Sequence, residues 1–165
     1  MIDDVYKYNS VDLAYYIVAL ANKCKIVVNV TKVQKLLYLV YGAFLAIYGE
    51  RVCNERPQAW PYGPVFPKTR IALINMGDLY KLSLSKLSSP VENDTELKKV
   101  IDFVFAGFGK KTAGQLTVWS HRIGSPWERT THTPGFKWGM DIPDQYIRSY
   151  FASIIKINGT QPEGN

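Results

Sequence analysis

From Leu36 to Tyr48 the chain reads LLYLVYGAFLAIY, and no residue in it carries a charge. A helix on a protein surface keeps a polar stripe along one side, so this segment is expected to be the buried central helix on which the rest packs. Its length separates protein from lipid. The uncharged run is about thirteen residues, whereas a bilayer span needs about twenty, and a soluble core without a membrane partner is expected. Both ends are marked locally: Thr31 can accept the amide of Gln34 while Gln34 reaches back, as in a capping box, and Gly49 can close the helix in a left-handed turn.

A chain of 165 residues suits one domain and can bury about two thirds of its unfolded surface without metal or disulfide support. The expected domain covers residues 1–157, with residues 158–165 as a flexible tail. Cys24 and Cys53 lie in no metal-ligand spacing, and the Met1 end is polar where a secretory signal is basic and then apolar. Two buried free thiols in a reducing cytoplasm are expected. The formal charge of +6 permits an anionic partner but speaks mainly to solubility and encounter rate. Basic residues gather late: Lys98, Lys99, Lys110, Lys111, Arg122, Arg129 and Lys137 face only Asp102 and Glu128 between positions 98 and 138. Either this is a solvated surface, or Lys98, Lys99, Lys110, Lys111 and Arg122 touch nucleic acid.

The remaining elements follow from spacing and caps. A first helix begins at Asn9 or Ser10 and runs to Lys23. After Gly49, Pro57 limits the chain to a turn and at most a short edge strand. Pro64 or Pro67 opens a helix that stops at Gly77. Residues 78–93 are ambiguous between a short strand and an irregular loop. Asp94 caps a helix that Gly107 and Gly109 break; Thr112 and Gln115 form a capping box for a helix to about Arg122; Ser125 and Pro126 start one more turn. A last helix spans 141–156. The expected fold is mainly α, a single compact helical domain of about six helices, with or without a short minor strand pair.

In WPYGPVFP each proline fixes its own φ and pushes the preceding residue toward extended backbone, while Gly63 can take positive φ. Such a frame either displays Trp60 and Tyr62 to a partner or plugs the core with Trp60. Lys32 and Lys35 lie on one side of the central helix; they either hold its mouth in water or face an acidic groove in a partner. His121 has a structural or a catalytic reading, and His132 falls in a flexible loop. Ser120 precedes His121, but neighbours on a helix point about a hundred degrees apart, so the two are no nucleophile and base. Asp12, Glu50, Glu55, Asp94, Asp102, Asp141 and Asp144 scatter over helix starts and surfaces. No HExxH, phosphate loop or GxSxG is present, and no catalytic residue, metal or cofactor is assigned.

Thr31-Lys-Val-Gln-Lys-Leu-Leu-Tyr38, Ala59-Trp-Pro-Tyr-Gly-Pro-Val65, and Leu116 to His121 followed by Pro126-Trp127 together resemble the SocA-like family, or Panacea domain. That family's pattern is a KLxKLLYxA-type helix, an AWxxGPV segment and a late LSxxTH…PW signature, and the likeness spans about residues 10 to 150. Ser120 stands where threonine commonly precedes the histidine. The resemblance implies a helical antitoxin of a bacterial or phage toxin–antitoxin pair, partnered by a cognate toxin, with one branch acting as a proteolytic adaptor to ClpXP. It places Lys35, Tyr38, Trp60, Gly63, Pro64, His121, Pro126 and Trp127 at signature positions; Lys32 and Tyr62 join them as candidate partner contacts. Other readings are a small hydrolase dependent on His121 and a nucleic-acid-binding regulator.

Overall fold

The computed structural model describes residues 6–87 and 89–157, so the tail expected at 158–165 lies outside the described residues. Strand β1 (Tyr6–Tyr8) leads into α1 (Ser10–Lys23) and α2 (Val30–Tyr48), followed by β2 (Arg51–Cys53), β3 (Gln58–Trp60) and β4 (Gly63–Val65). Helix α3 (Pro67–Met76) precedes three short 3-10 turns, which occupy the stretch left ambiguous between strand and loop. Then come α4 (Thr95–Phe108), α5 (Ala113–Ser120), α6 (Pro126–Thr131) and α7 (Asp144–Ile157), seven α-helices among the described residues. The fold is mainly α. Its strands form two small pairs: β1 parallel to β2, with Tyr6 opposite Arg51, and β3 antiparallel to β4, with Trp60 opposite Gly63.

Helix α2 is the centre. It touches α1, α3, α4, α5, α7, β2 and β4, most extensively α7. It is long and apolar enough to cross a membrane, but 78% of that window is buried inside the domain, so its apolar faces are already covered by protein. Gly42 permits the closest approach: a Cβ there would overlap the Phe151 ring of α7. Phe151 in turn meets Tyr38 and Trp119 edge-on, at centroid distances of 5.5 and 6.0 Å.

The caps explain where the helices begin and correct several expectations. Asn9 accepts from the amides of Val11 and Asp12, and Gly49 closes α2 at φ 71°. The cap of α2, however, is Asn29, which accepts the Lys32 amide at 2.8 Å; Thr31 already lies inside the helix and forms no capping box with Gln34. Gly107 sits within α4, and Gly109 terminates it. The Thr112 and Gln115 capping box is present, although α5 ends at Ser120. Helix α7 starts at Asp144, where its carboxylate accepts from Tyr41 Oη at 2.6 Å and Arg51 Nε at 2.8 Å. Glu55 is buried instead of exposed: it accepts from Ser10 Oγ at 2.9 Å, Thr69 Oγ1 at 2.8 Å and the amides of Lys68 and Thr69. It thereby caps α3 from a distance, where Phe66 supplies no side-chain cap. Cys53 is buried as expected, whereas Cys24 is exposed; both are free thiols.

Candidate functional site

The WPYGPV segment folds into the β3–β4 hairpin with Pro61 and Tyr62 at its turn. Gly63 has φ 114°, a region that side chains strongly disfavour. A Cβ there would also stand 2.8 Å from Ser120 Oγ and 2.9 Å from Lys35 Cε. Glycine is therefore required both by the backbone and by the side chains crowded beneath it.

Bonds to three neighbours clamp the hairpin. Gln34 of α2 accepts the Phe66 amide at 2.6 Å and donates to the Phe66 carbonyl at 3.3 Å. Along β3, the Ala59 amide donates to Met140 O and the Gly139 amide to Ala59 O, each at 2.9 Å. From α6, Trp127 Nε1 donates to Trp60 O at 2.8 Å. Trp60 itself is half-buried. Its indole N–H donates to Gln58 Oε1 at 3.1 Å, and the Arg70 guanidinium lies 5.4 Å from its ring centroid. Tyr62, at the tip, is 77% exposed.

The two lysines of α2 are not held in water: both are buried. Lys32 donates to Gly109 O at 2.7 Å. Lys35 is only 3% exposed, and among the described residues its ammonium reaches one acceptor, Pro64 O, at 3.5 Å. An ammonium carries three donors, so Lys35 is a buried cation with most of its hydrogen-bonding capacity unspent. Burial lowers its pKa to about 8. At pH 7 the amine nevertheless remains protonated.

The late signature residues pack beside it. His121 ends α5, and its ring stacks on Trp127 at 3.8 Å with an interplanar angle of 10°. Its Nε2 is buried without a hydrogen-bond partner among the described residues. Burial, and after it the Lys35 charge, lowers the His121 pKa below the ordinary value, which keeps the ring neutral at pH 7. Ser120 Oγ donates to Thr117 O at 2.8 Å, so its hydroxyl is turned to its own helix and makes no pair with His121. Pro126 is buried in the first turn of α6, and Tyr38 lies in the core. His132 does not fall in a flexible loop: it caps α6, with Nδ1 2.8 Å from Glu128 O.

Between the hairpin, the first turns of α2 and the start of α5 lies a cleft of about 480 Å³. Trp60 and Tyr62 form one wall, Thr117 belongs to the other, and Lys35 and Arg70 supply its charge. None of its lining residues is acidic. The basic residues of the expected positive face are placed differently: Lys98 pairs with Glu92 at 3.5 Å, while Lys110 and Lys111 line a second cleft with Lys25 and Lys32. Among the described residues no group of three or more His, Cys, Asp or Glu side chains could hold a metal ion. The sequence assigns Gln34 to a helix cap with Thr31, whereas the structure gives it to the hairpin, and the sequence offers no signal for Gln58 or Arg70.

The family described as antitoxin SocA-like, Panacea domain, matches residues 33–128. This stretch holds most of α2, the hairpin, His121 and Trp127. Antitoxin SocA of Caulobacter vibrioides (strain NA1000 / CB15N) is 31% identical over 142 residues, which cover 79% of this chain and 75% of that protein. No solved structure matches the chain significantly.

Proposed function

The chain belongs to the antitoxin SocA-like, Panacea-domain family, and on that premise we propose that it is an antitoxin that neutralises a cognate toxin by direct protein binding. The observation that carries the reading is the clamped hairpin, which holds exposed Tyr62 and half-buried Trp60 beside an open cleft. Aromatic side chains on a preordered frame give a large contact area at a small loss of conformational entropy. Lys35, Gly63, Pro64, His121 and Trp127 serve in this reading as the support of that surface, and Tyr38 and Pro126 as packing beneath it. The chain acts in the cytoplasm without breaking a covalent bond.

Coexpression tests it. The product of the adjacent open reading frame is expected to arrest growth alone, to be tolerated with this chain, and to copurify with it. A harmless neighbour that does not copurify sinks the proposal. Toxin half-life separates blockade from delivery to a protease such as ClpXP: an unchanged half-life supports blockade, and a half-life shortened only while the protease is present replaces it.

A further inference from the structure

We infer that the cleft between the β3–β4 hairpin and α5 receives an acidic side chain of the partner protein, its carboxylate bound by Lys35 of the lining and attracted by Arg70. The inference rests on the reading of this surface as the partner-binding face and names the chemistry that it recognises.

Three observations converge on it. First, Lys35 is nine-tenths buried and more, belongs to the lining of the cleft, and has one acceptor at the limit of hydrogen-bond distance. A buried charge left so poorly matched is unfavourable in the free protein, and a carboxylate is the group that would match it. Second, the lining contains two cationic side chains and no acid, so an anion meets no opposing charge there. Third, Trp60 and Tyr62 provide an apolar wall for the stem of the incoming residue.

A chain terminus also carries a carboxylate, and the test below separates it from a side chain. One ammonium in the lining of a cleft suits a carboxylate on an extended stem, such as glutamate.

The groups facing Lys35 are the Pro64 carbonyl, Ser120 and the neutral His121, with Arg70 in the same cleft. The Lys35 ammonium, with a pKa of about 8, is therefore the group whose proton controls capture near that pH. A bound carboxylate raises the lysine pKa, so affinity is level below about pH 8 and falls as the pH climbs above it.

The test uses the purified full chain and three displayed libraries of capped heptapeptides: one with a central Glu, one with Gln in its place, and one with central Gln but a free C-terminal carboxylate. The Glu library is expected to be retained at least about tenfold better than the Gln library at pH 7, with the margin falling about tenfold by pH 9. Lys35→Met, checked for folding by its thermal melt, is expected to erase the preference, and Arg70→Gln to reduce it severalfold. Equal retention of Glu and Gln, retention of the free-terminus library alone, or a preference unchanged in Lys35→Met overturns the inference. Coexpression with the adjacent gene product keeps the two readings apart. Full protection by Lys35→Met rejects carboxylate capture and leaves toxin binding standing. A Lys35-dependent Glu preference without toxin protection does the reverse.

Discussion

Helix α2 is built in two ways along its 19 residues. Beyond Tyr38 it is packed as protein interiors usually are: Val40, Tyr41, Ala43 and Phe44 are all buried, and Gly42 lets the Phe151 ring lie against the backbone. Its first two turns bury Lys32, Gln34 and Lys35 instead. Gln34 bonds both backbone groups of Phe66 and Lys32 bonds Gly109 O at 2.7 Å, whereas Lys35 meets Pro64 O only at 3.5 Å. One end is thus arranged for stability. The other tolerates a buried cation beside an open cleft.

The largest predicted effect tests the stable end. Phe151→Ala removes a ring that contacts α2 at Gly42 and Tyr38, and such truncations cost about 3–5 kcal/mol. Urea denaturation should show that loss with the fold retained at low denaturant. A change below about 1 kcal/mol, within the range of surface substitutions and slight repacking, would mean that the α2–α7 contact is not the core.

At the other end the sign should reverse. Lys35→Met keeps the length of the side chain and deletes the buried charge, so the variant should be more stable at pH 7 by as much as about 3 kcal/mol. The pH dependence follows from linkage. The lysine pKa is about 10.5 in the unfolded chain and about 8 in the folded one, so between those values the unfolded state binds more protons and wild-type stability rises with pH. Below about 8 the penalty is present in full; above about 10.5 it is gone. Thermal melts from pH 7 to 10 should therefore converge for the two proteins, and a destabilised Lys35→Met at pH 7 would contradict the contrast between the ends of α2.

A smaller effect is expected where α6 grips the hairpin. Trp127→Phe preserves a ring to stack on His121 but removes the donor to Trp60 O, leaving a partly buried carbonyl at a cost of about 1–2 kcal/mol. Amide exchange at Ala59 and Trp60 should accelerate more than exchange in α4. Uniform acceleration would show that the hydrogen bond is not a local clamp.

Much of the stable end was legible in the sequence, and much of the cleft was not, for a physical reason. An uncharged run such as Leu36 to Tyr48 has one arrangement that satisfies it, and local caps such as Asn9, Asp94 and Thr112 act within a few residues of themselves. The cleft is made by contacts across long sequence separations. Gln34 reaches Phe66, Trp127 reaches Trp60, and Lys35 packs under Gly63. Nothing in the neighbours of Lys35 announces that it is buried; the common expectation for a lysine three residues from another near a helix start is solvent. The resemblance pointed to Lys35, Gly63, His121 and Trp127 as a set, and the fold supplies the reason they form one: the first two crowd together under the hairpin, and His121 stacks on Trp127 next to them.

The cap of α2 offers the finest separation, because the sequence and the structure name different residues for it. Thr31 followed by Gln34 has the spacing of a capping box, yet Gln34 is drawn away to both backbone groups of Phe66 and Asn29 takes the Lys32 amide. A local signal lost here to a tertiary one, since tying the hairpin to α2 satisfies two buried backbone groups while the cap can be replaced by a residue two positions earlier. Asn29→Ala should cost about 1 kcal/mol, and Thr31→Ala, at an exposed position with no cap to lose, less than about 0.5 kcal/mol. Chemical denaturation of the two variants side by side decides it: equal losses, or a larger loss for Thr31→Ala, would return the cap to Thr31 and free Gln34 from the hairpin, so that the clamped surface beside Lys35 would lose its anchor on α2.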